Sequence, residues 1–297
     1  QRIRSLSIKK QIIESGAAFK AATPHMQFTM RSDPVRYGLT APFPDIAIGC
    51  GRQAIAPLMA LKKACGDGIF TVYIQDPRID PDAFDLVIAP EHDGLTGDNV
   101  INMIGAPNRI TRTEIISQVL SFQDKLSKLP MPRASILIGG DSKTHKLSKK
   151  VHKRHMKAAA DVISSGRSLL LTTSRRTPDW AAEQWQTFAA KNDNVWLYEG
   201  GEPNPYIAFL GGSDTILVTE DSTNMLTDAC ATGKSVFTLP MDGKPGKFSE
   251  LYERLNARCH VAPYDARFKS KDYAPLDETA RMAHEVWTCF DGKRVRS

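Results

Sequence analysis

Short apolar runs alternate with longer helix-patterned stretches from Pro44 onward, and this alternation constrains the fold more than any other feature of the chain. The order is typical of a parallel sheet with helices on both faces, because each crossover between parallel strands needs a connection of helix length. Strands are predicted at residues 45–48, 70–74, 86–89, 100–104, 135–138, 168–172, 195–198, 215–219 and 235–239. Helices are predicted at residues 112–128, 147–164, 178–191, 203–210, 222–232 and 276–290.

The chain of 297 residues is too long for one ordinary core and suits two domains. Pro130 and Pro132 remove backbone donors and stop both helix and sheet, so the boundary is predicted there. The fold class predicted is α/β, with two Rossmann-like domains facing a cleft. Residues 1–128 form the first domain, without its first strand, and residues 134–275 the second, while a helix within 276–297 packs back on the first. Because the chain opens at Gln1 without a methionine, N-terminal residues are expected to be missing.

Composition restricts the compartment and the partners. The five cysteines are odd in number and scattered, and no apolar window reaches the length of a membrane span, so a soluble cytoplasmic protein is predicted. The net charge of +6 favours anionic partners. Seven Lys or Arg and no acid occur in residues 143–157, which predicts a solvated helix face or, alternatively, peripheral contact with anionic membrane at its inner face. That run lacks aromatic residues, so nucleic-acid binding is not expected.

Candidate ligand-binding loops follow the predicted strands of the second half, because ligands of open parallel sheets bind outside the carboxyl ends of the strands. Two of these loops are Gly139, Gly140, Asp141 and Ser142, and then Thr173, Ser174 and Arg175. Glycine lets the first loop approach an oxygen-rich ligand and turn N–H groups toward it, although plain turn chemistry is the alternative. The hydroxyls of the second loop and its two guanidinium groups, those of Arg175 and the following Arg176, suit phosphate.

A third segment predicts an anion site at the N-terminus of a helix. Its residues are Glu220, Asp221, Ser222, Thr223, Asn224 and Met225. Ser222 or Asp221 can cap the helix, and the N–H groups of its first turn carry partial positive charge; an ordinary helix cap is the alternative. Asp228, about a turn and a half further on, either accepts hydrogen bonds from ribose hydroxyls or is a surface acid.

The first half offers residues for a second substrate. The predicted acceptor-side residues are Gly49, Gly51, Arg52, Gln53, Asn108 and Arg109. His92, which lies between two acids, and Asp76 are the candidate general bases, with a plain polar loop histidine as the alternative for His92. The sequence has no P-loop, no nucleophile elbow and no complete dinucleotide glycine pattern, so kinase-like, hydrolase and dehydrogenase functions lose support.

These motifs resemble those of GT-B glycosyltransferases, especially the enzyme that adds N-acetylglucosamine to peptidoglycan precursors. The resemblance is carried by the Gly-Gly turn in residues 136–141, the Gly-x-Pro-x-Arg segment in 104–109 and the helix in 220–234, where Asp228 stands at the position of a ribose-binding Glu. More closely, the chain is similar to the mitochondrial fission Elm family. Residues 219–234, with Thr-Glu-Asp-Ser-Thr-Asn-Met and a Gly-Lys end, and 243–255, with Gly-Lys-x-x-Lys-Phe, carry that similarity.

The resemblance implies three functions from different classes. The first is a metal-independent, cofactor-free transferase that binds a nucleoside diphosphate sugar, with Lys244 or Lys247 neutralising the leaving diphosphate, and delivers the sugar to a cell-envelope or lipid-linked acceptor. The second is a non-catalytic adaptor that binds a partner protein or a membrane surface, because plant members of the family are linked to recruiting the division dynamin. The third is a sugar-nucleotide epimerase.

Overall fold

The computed structural model describes residues 6–14, 16–244, 246, 248–269 and 271–296. The chain forms two compact units. Unit 1 consists of Gln1–Met103 and Met282–Ser297, and unit 2 consists of Ile104–Arg281.

The secondary structure alternates as the sequence predicts. The strands are β1 (Ile46–Cys50), β2 (Phe70–Ile74), β3 (Leu86–Pro90), β4 (Val100–Met103), β5 (Arg133–Ile138), β6 (His145–Lys146), β7 (Ser168–Thr173), β8 (Val195–Tyr198), β9 (Thr215–Thr219), β10 (Ser235–Leu239), β11 (Asp242–Gly243) and β12 (Ala262–Pro263). The helices are α1 (Ala17–Ala21), α2 (Pro24–Met30), α3 (Ile55–Cys65), α4 (Arg112–Ser121), α5 (Gln123–Leu126), α6 (Lys149–Ser164), α7 (Asp179–Ala190), α8 (Tyr206–Gly212), α9 (Thr223–Cys230), α10 (Phe248–Cys259) and α11 (Glu278–Arg296).

Unit 1 is built on a parallel sheet in the order β1-β2-β3-β4. On one face, Leu58 and Leu61 of α3 pack in a buried cluster with side chains of the strands. On the other face, Met282, Val286 and Phe290 of α11 pack with β2, β3 and β4. Both faces are therefore covered over β2 and β3, which explains why these strands are nearly continuous apolar runs.

Unit 2 contains a six-stranded parallel sheet in the order β8-β7-β5-β9-β10-β12. When the six strands of this sheet alone are numbered in chain order, this is the 3-2-1-4-5-6 order of a Rossmann fold. The order reverses between β5 and β9, which pair through Ala134 with Thr215 and Leu137 with Val218. In such sheets the crevice at this reversal is the usual place for a ligand.

Alternate residues of the strands in this sheet belong to two separate buried cores, one on each face of the sheet. Ile136, Ile138 and Leu217 belong to the core beneath α6 and α7, whereas Leu137 and Ile216 belong to the core beneath α9 and α10. Because successive side chains of a strand point to opposite faces, α6 and α9 lie on opposite faces of the sheet.

The structure places the division between the units after Met103, whereas the prolines predicted it within residues 128–134. The predicted helix at 112–128 is two helices, α4 and α5, and both belong to unit 2. Ile115 and Val119 of α4 lie against Gly211 of α8, where there is no room for a Cβ atom. Leu126 of α5 packs with Phe209 of α8 in a further buried cluster, and Val119 of α4 packs against that cluster. The prolines thus separate a helix from a strand inside one unit.

None of the described helices is long and apolar enough to cross a membrane.

Candidate active site at the carboxyl edge of the unit 2 sheet

The sheet order brings the three predicted loops of unit 2 to one edge. β7, β5 and β9 are adjacent and parallel, so the segments that begin at Ser174, Gly139 and Glu220 all leave the sheet at its carboxyl edge. The last two flank the point where the strand order reverses. The predicted proximity of these loops therefore follows from the topology.

The loop after β5 uses its backbone donors within the protein. The Gly139 N–H donates to the Thr219 Oγ1 at 2.7 Å, and the Gly140 N–H donates to the Asp221 Oδ2 at 3.1 Å. The Asp141 N–H donates to the Arg176 carbonyl at 3.2 Å, and the Ser142 N–H donates to the His145 carbonyl at 2.9 Å. The expectation that these N–H groups point toward an anion is therefore corrected. The backbone of this loop stabilises the neighbouring loops instead.

Asp221 explains why two glycines are needed here. Its side chain is fully buried and forms an ion pair with Arg176 at 2.6 Å. A Cβ atom at Gly139 would collide with the Asp221 carboxylate, and one at Gly140 would collide with the Arg176 carbonyl. The glycines therefore permit close packing around the buried Asp221 carboxylate, and Asp221 is part of the fold rather than an exposed ligand.

Three other predicted residues hold neighbouring loops in place. Asp141 Oδ1 accepts from the Leu147 N–H at 2.9 Å, and this bond together with the Lys146 ammonium lowers the pKa of Asp141. Ser142 Oγ accepts from the His145 N–H at 3.0 Å. Glu220 Oε2 accepts from the Met241 N–H at 3.0 Å, and burial raises the pKa of this carboxyl.

The first turn of α9 keeps free donors at the same edge. Ser222 is the N-cap, and its Oγ accepts from the Met225 N–H at 3.3 Å. Within the described chain, no acceptor meets the N–H groups of Thr223 and Asn224. Asn224 is exposed, whereas Met225 packs against the core beneath α9. The predicted cap is confirmed, and two donors of the first turn are available to a ligand.

Asp228 lies in α9 beside Tyr206, the first residue of α8. The Tyr206 hydroxyl donates to Asp228 Oδ2 at 2.9 Å. Burial raises the pKa of Asp228 to about 6, although the Tyr206 hydrogen bond acts in the opposite direction. Burial and the nearby carboxylate raise the pKa of Tyr206, so the proton stays on the phenol. Asp228 is therefore a half-buried, oriented acceptor, and the alternative of a surface acid is wrong.

The loop after β7 contributes one unengaged cation. The Arg175 side chain is exposed and makes no ion pair or hydrogen bond with the described residues. Ser174 Oγ accepts from the Arg176 N–H at 3.1 Å, and Thr173 is half-buried at the end of β7. Lys244 is exposed after β11, and Lys247 lies outside the described residues.

The predicted acceptor-side residues of unit 1 lie at the end of β1 or directly after it, and two of them have structural partners. A Cβ atom at Gly49 would collide with Leu58, so this glycine allows α3 to pack on β1. Arg52 donates to the Ala22 carbonyl at 2.8 Å. Gly51 has a φ of 80°, which favours glycine, and the Gln53 Oε1 is buried without a donor among the described residues.

Asp76 and His92 follow the adjacent parallel strands β2 and β3, and so lie at one edge of the unit 1 sheet. Asp76 accepts from the Arg78 N–H at 2.8 Å and pairs with the Arg78 guanidinium at 3.0 Å. His92 is 8% exposed, so it is not a plain surface histidine.

Asn108 and Arg109 lie in unit 2, where Asn108 N–H donates to Thr279 Oγ1 at 3.0 Å and Arg109 is exposed. Gly105, in the same segment, packs directly on Thr227 of α9. This segment therefore supports the helix that carries Asp228.

Sequence reasoning missed the partners that order the site. Tyr206 carries no local signal, because its partner Asp228 is distant along the chain. Arg176 was predicted to suit phosphate, and it pairs with Asp221 instead. Tyr252 of α10 was also missed; its hydroxyl donates to the Glu220 carbonyl at 2.7 Å. Among the described residues, no group of three or more His, Cys, Asp or Glu side chains is arranged to hold a metal ion.

Two solved structures share the fold of this chain. The UDP-GlcNAc 2-epimerase from Methanocaldococcus jannaschii matches with a TM-score of 0.53 and 10% identity, covering 89% of this chain and 81% of that one. A putative UDP-N-acetylglucosamine 2-epimerase from Listeria monocytogenes matches with a TM-score of 0.54 and 12% identity, covering 91% and 74%. Such identities show the fold alone. The chain is an α/β protein of the GT-B-like class with two Rossmann-like units, which confirms the predicted fold class.

The family follows from the sequence comparisons. The model of the mitochondrial fission ELM1 family matches residues 2–290, and the chain belongs to that family. It is 27% identical over 269 residues to the mitochondrial fission protein ELM1 of Arabidopsis thaliana, which covers 82% of this chain and 63% of the plant protein. The chain thus spans less than two thirds of the length of that relative. The predicted resemblance is confirmed.

Proposed function

We propose that unit 2 binds a nucleoside diphosphate sugar at the carboxyl edge of its sheet, near the start of α9. The observation that carries this proposal is the Asp228–Tyr206 pair. A ribose presents two neighbouring hydroxyl donors, and a carboxylate held by a phenol on one oxygen offers its remaining lone pairs to them. Burial also makes the ionised form of Asp228 unfavourable and raises its pKa, and carboxylates with such raised pKa values are typical of functional sites.

The diphosphate is proposed to bind at the first turn of α9 and at Arg175. The free N–H groups of Thr223 and Asn224 carry the partial positive charge of the helix terminus. Arg175 adds a guanidinium that no described side chain neutralises. The backbone of the loop after β5 has no part in this proposal, because its N–H groups already donate within the protein.

The first ligands to test are uridine nucleotides, because the solved proteins with this fold are named as acting on UDP-GlcNAc. The proposed reaction is transfer of the sugar to a cell-envelope or lipid-linked acceptor. The candidate bases are His92 and Asp76, which follow adjacent strands of the unit 1 sheet.

Calorimetric titration with UDP and UDP-GlcNAc tests the site by comparing two exposed arginines of unit 2. Arg175→Ala should weaken binding by about tenfold or more, the effect of one charge-assisted hydrogen bond, and leave the melting temperature unchanged. Arg112→Ala, which removes an exposed arginine of α4, is the control and should leave affinity unchanged. Full affinity in Arg175→Ala would refute the phosphate assignment.

The second candidate is the adaptor function, which family membership favours. An adaptor that has kept the fold without its ligand binds none of the nucleotides. Absence of any nucleotide binding by the wild-type protein, with a stably folded unit 2, would therefore favour this function over the first.

A further inference from the structure

The outward side of α6 carries a dense group of cations, which we call the α6 cationic face: Lys149, Lys150, Lys153, Arg154 and Lys157. All five side chains are exposed. With Lys143 and Lys146 they make seven cations and no acid between residues 143 and 157. The chain has a net charge of +6, so this one segment holds more than the whole excess and the rest of the chain is slightly acidic.

Neighbouring acids pair with two of the seven cations of this segment. Lys146 pairs with Asp141 at 3.0 Å, and Lys157 pairs with Asp161 at 2.9 Å. The four cations between them, from Lys149 to Arg154, form no ion pair with any described residue. The centre of the α6 cationic face is therefore uncompensated.

This arrangement opposes the stability of the helix that carries it. Lys149 and Lys150 occupy the first turn, which contains no acid, although the helix dipole favours negative charge there. Lys149 with Lys153, and Lys150 with Arg154, are like-charge pairs four residues apart, and each such pair costs an isolated helix about 0.2–0.5 kcal/mol. Charges placed against local preference are expected where they serve a function.

The opposite side of α6 is fixed in the core, so the cations cannot turn inward. Val151, Ala159 and Val162 are buried beneath the helix with His152 and His155. The His155 Nε2 lies 2.7 Å from the Pro240 carbonyl, and burial lowers the pKa of His155 to about 4, so this histidine is neutral and adds no charge. The α6 cationic face is a fixed, outward surface about 12 Å long, at 1.5 Å per residue.

We propose that the α6 cationic face docks on an anionic lipid bilayer. Six of the seven cations are lysines, which act as flexible point charges, whereas recognition of single phosphates or carboxylates favours the planar fork of arginine. The outward side of a single helix is convex, so it suits contact with a planar charged surface. It does not suit an extended peptide, because such a peptide binds in a groove or at a sheet edge. The segment exposes no large apolar side chain, so the contact is electrostatic and does not insert into the bilayer.

Vesicle co-sedimentation tests this proposal independently of nucleotide binding. The wild-type protein should sediment with phosphatidylserine-containing vesicles, remain in solution with pure phosphatidylcholine vesicles, and be released by added salt. The double variant Lys149→Gln, Lys153→Gln should bind about 25-fold more weakly, since each lysine near an anionic surface contributes about 1 kcal/mol. Its melting temperature should not fall, because the substitutions remove repulsion.

The control is Lys128→Gln with Lys191→Gln, which removes two exposed lysines of unit 2 outside α6 and gives the same net charge. Equal loss of vesicle binding in both double variants would overturn the proposal, because only total charge would then matter. Failure of the wild-type protein to bind anionic vesicles would also overturn the proposal. This includes the case in which the protein binds duplex nucleic acid instead and the α6 double variant abolishes that binding.

Discussion

Asp228→Asn should stabilise the protein at neutral pH while keeping the shape of the site. Burial raises the pKa of Asp228 to about 6, so its ionised form is unfavourable in the folded protein. Asparagine has nearly the same volume and retains an oxygen that accepts from the Tyr206 hydroxyl. The variant therefore removes the unfavourable charge and leaves the hydrogen bond.

The magnitude follows from the difference in pKa between the folded and unfolded states. In the unfolded chain the carboxyl titrates near 3.8, so a rise to about 6 corresponds to roughly 3 kcal/mol at 1.36 kcal/mol per pKa unit. Partial exposure of the side chain reduces this to about 2 kcal/mol. The folded state binds the proton more tightly, so wild-type stability falls as pH rises from 3.8 to 6 and is constant above that range.

Urea unfolding of wild type and Asp228→Asn near pH 4.5 and pH 7.5 measures the effect. The gain of the variant should be larger near pH 7.5 by about 1–2 kcal/mol, or about 3–6 °C in melting temperature for a unit of this size. Asp193→Asn, at an exposed carboxylate of the same unit, should show no such pH-dependent gain. An equal effect of Asp228→Asn at both pH values, or destabilisation near pH 7.5, would refute the reasoning.

Three further predictions concern the packing of unit 2. Gly139→Ala should destabilise the protein by about 2 kcal/mol in urea unfolding, because the new methyl group collides with the Asp221 carboxylate. The control is Gly292→Ala in α11, which should be neutral or slightly stabilising because Gly292 is exposed and has no atoms near its Cβ position. Equal effects of the two substitutions would contradict the packing argument. Arg176→Ala should cost about 2 kcal/mol by leaving Asp221 buried and unpaired, and an unchanged melting temperature would show that the pair is unimportant. Lys234 donates to the Leu210 carbonyl at 2.9 Å, and burial lowers its pKa to about 8. The folded state thus loses this proton first, so wild type should gain stability relative to Lys234→Met as pH rises from 8 toward 10.5, and a constant difference would contradict this.

The strands of the fold were predictable because buried parallel strands are apolar on both faces. β2, β8, β9 and β10 lie at the residues predicted from their apolar runs. The limits of the units could not be predicted in this way. The partner of α4 is Gly211, and nothing near Ile115 or Val119 in sequence indicates a partner about a hundred residues away.

The candidate site was predictable to the level of its loops but not of its atoms. Strand order places the loops at one edge, and strand order can be anticipated for a Rossmann-like domain. The role of each polar group depends on partners from other loops, such as Asp221 with Arg176 and Asp228 with Tyr206. The glycines at 139 and 140 suggested an anion site because close approach to a ligand and close approach to neighbouring protein groups, here Asp221 and Arg176, have the same sequence signature.

The most direct test of the nucleotide-sugar site is a thermal-shift panel of uridine, guanosine, cytidine and thymidine diphosphates and their sugars, on wild type and Asp228→Ala. A ligand at about 100 times its dissociation constant should stabilise the folded protein by roughly 2.7 kcal/mol, which is several degrees. We expect a shift selective for one base in the wild type, greatly reduced in Asp228→Ala although that variant remains folded. The absence of any shift in the wild type, or an undiminished shift in Asp228→Ala, would contradict the site proposed here.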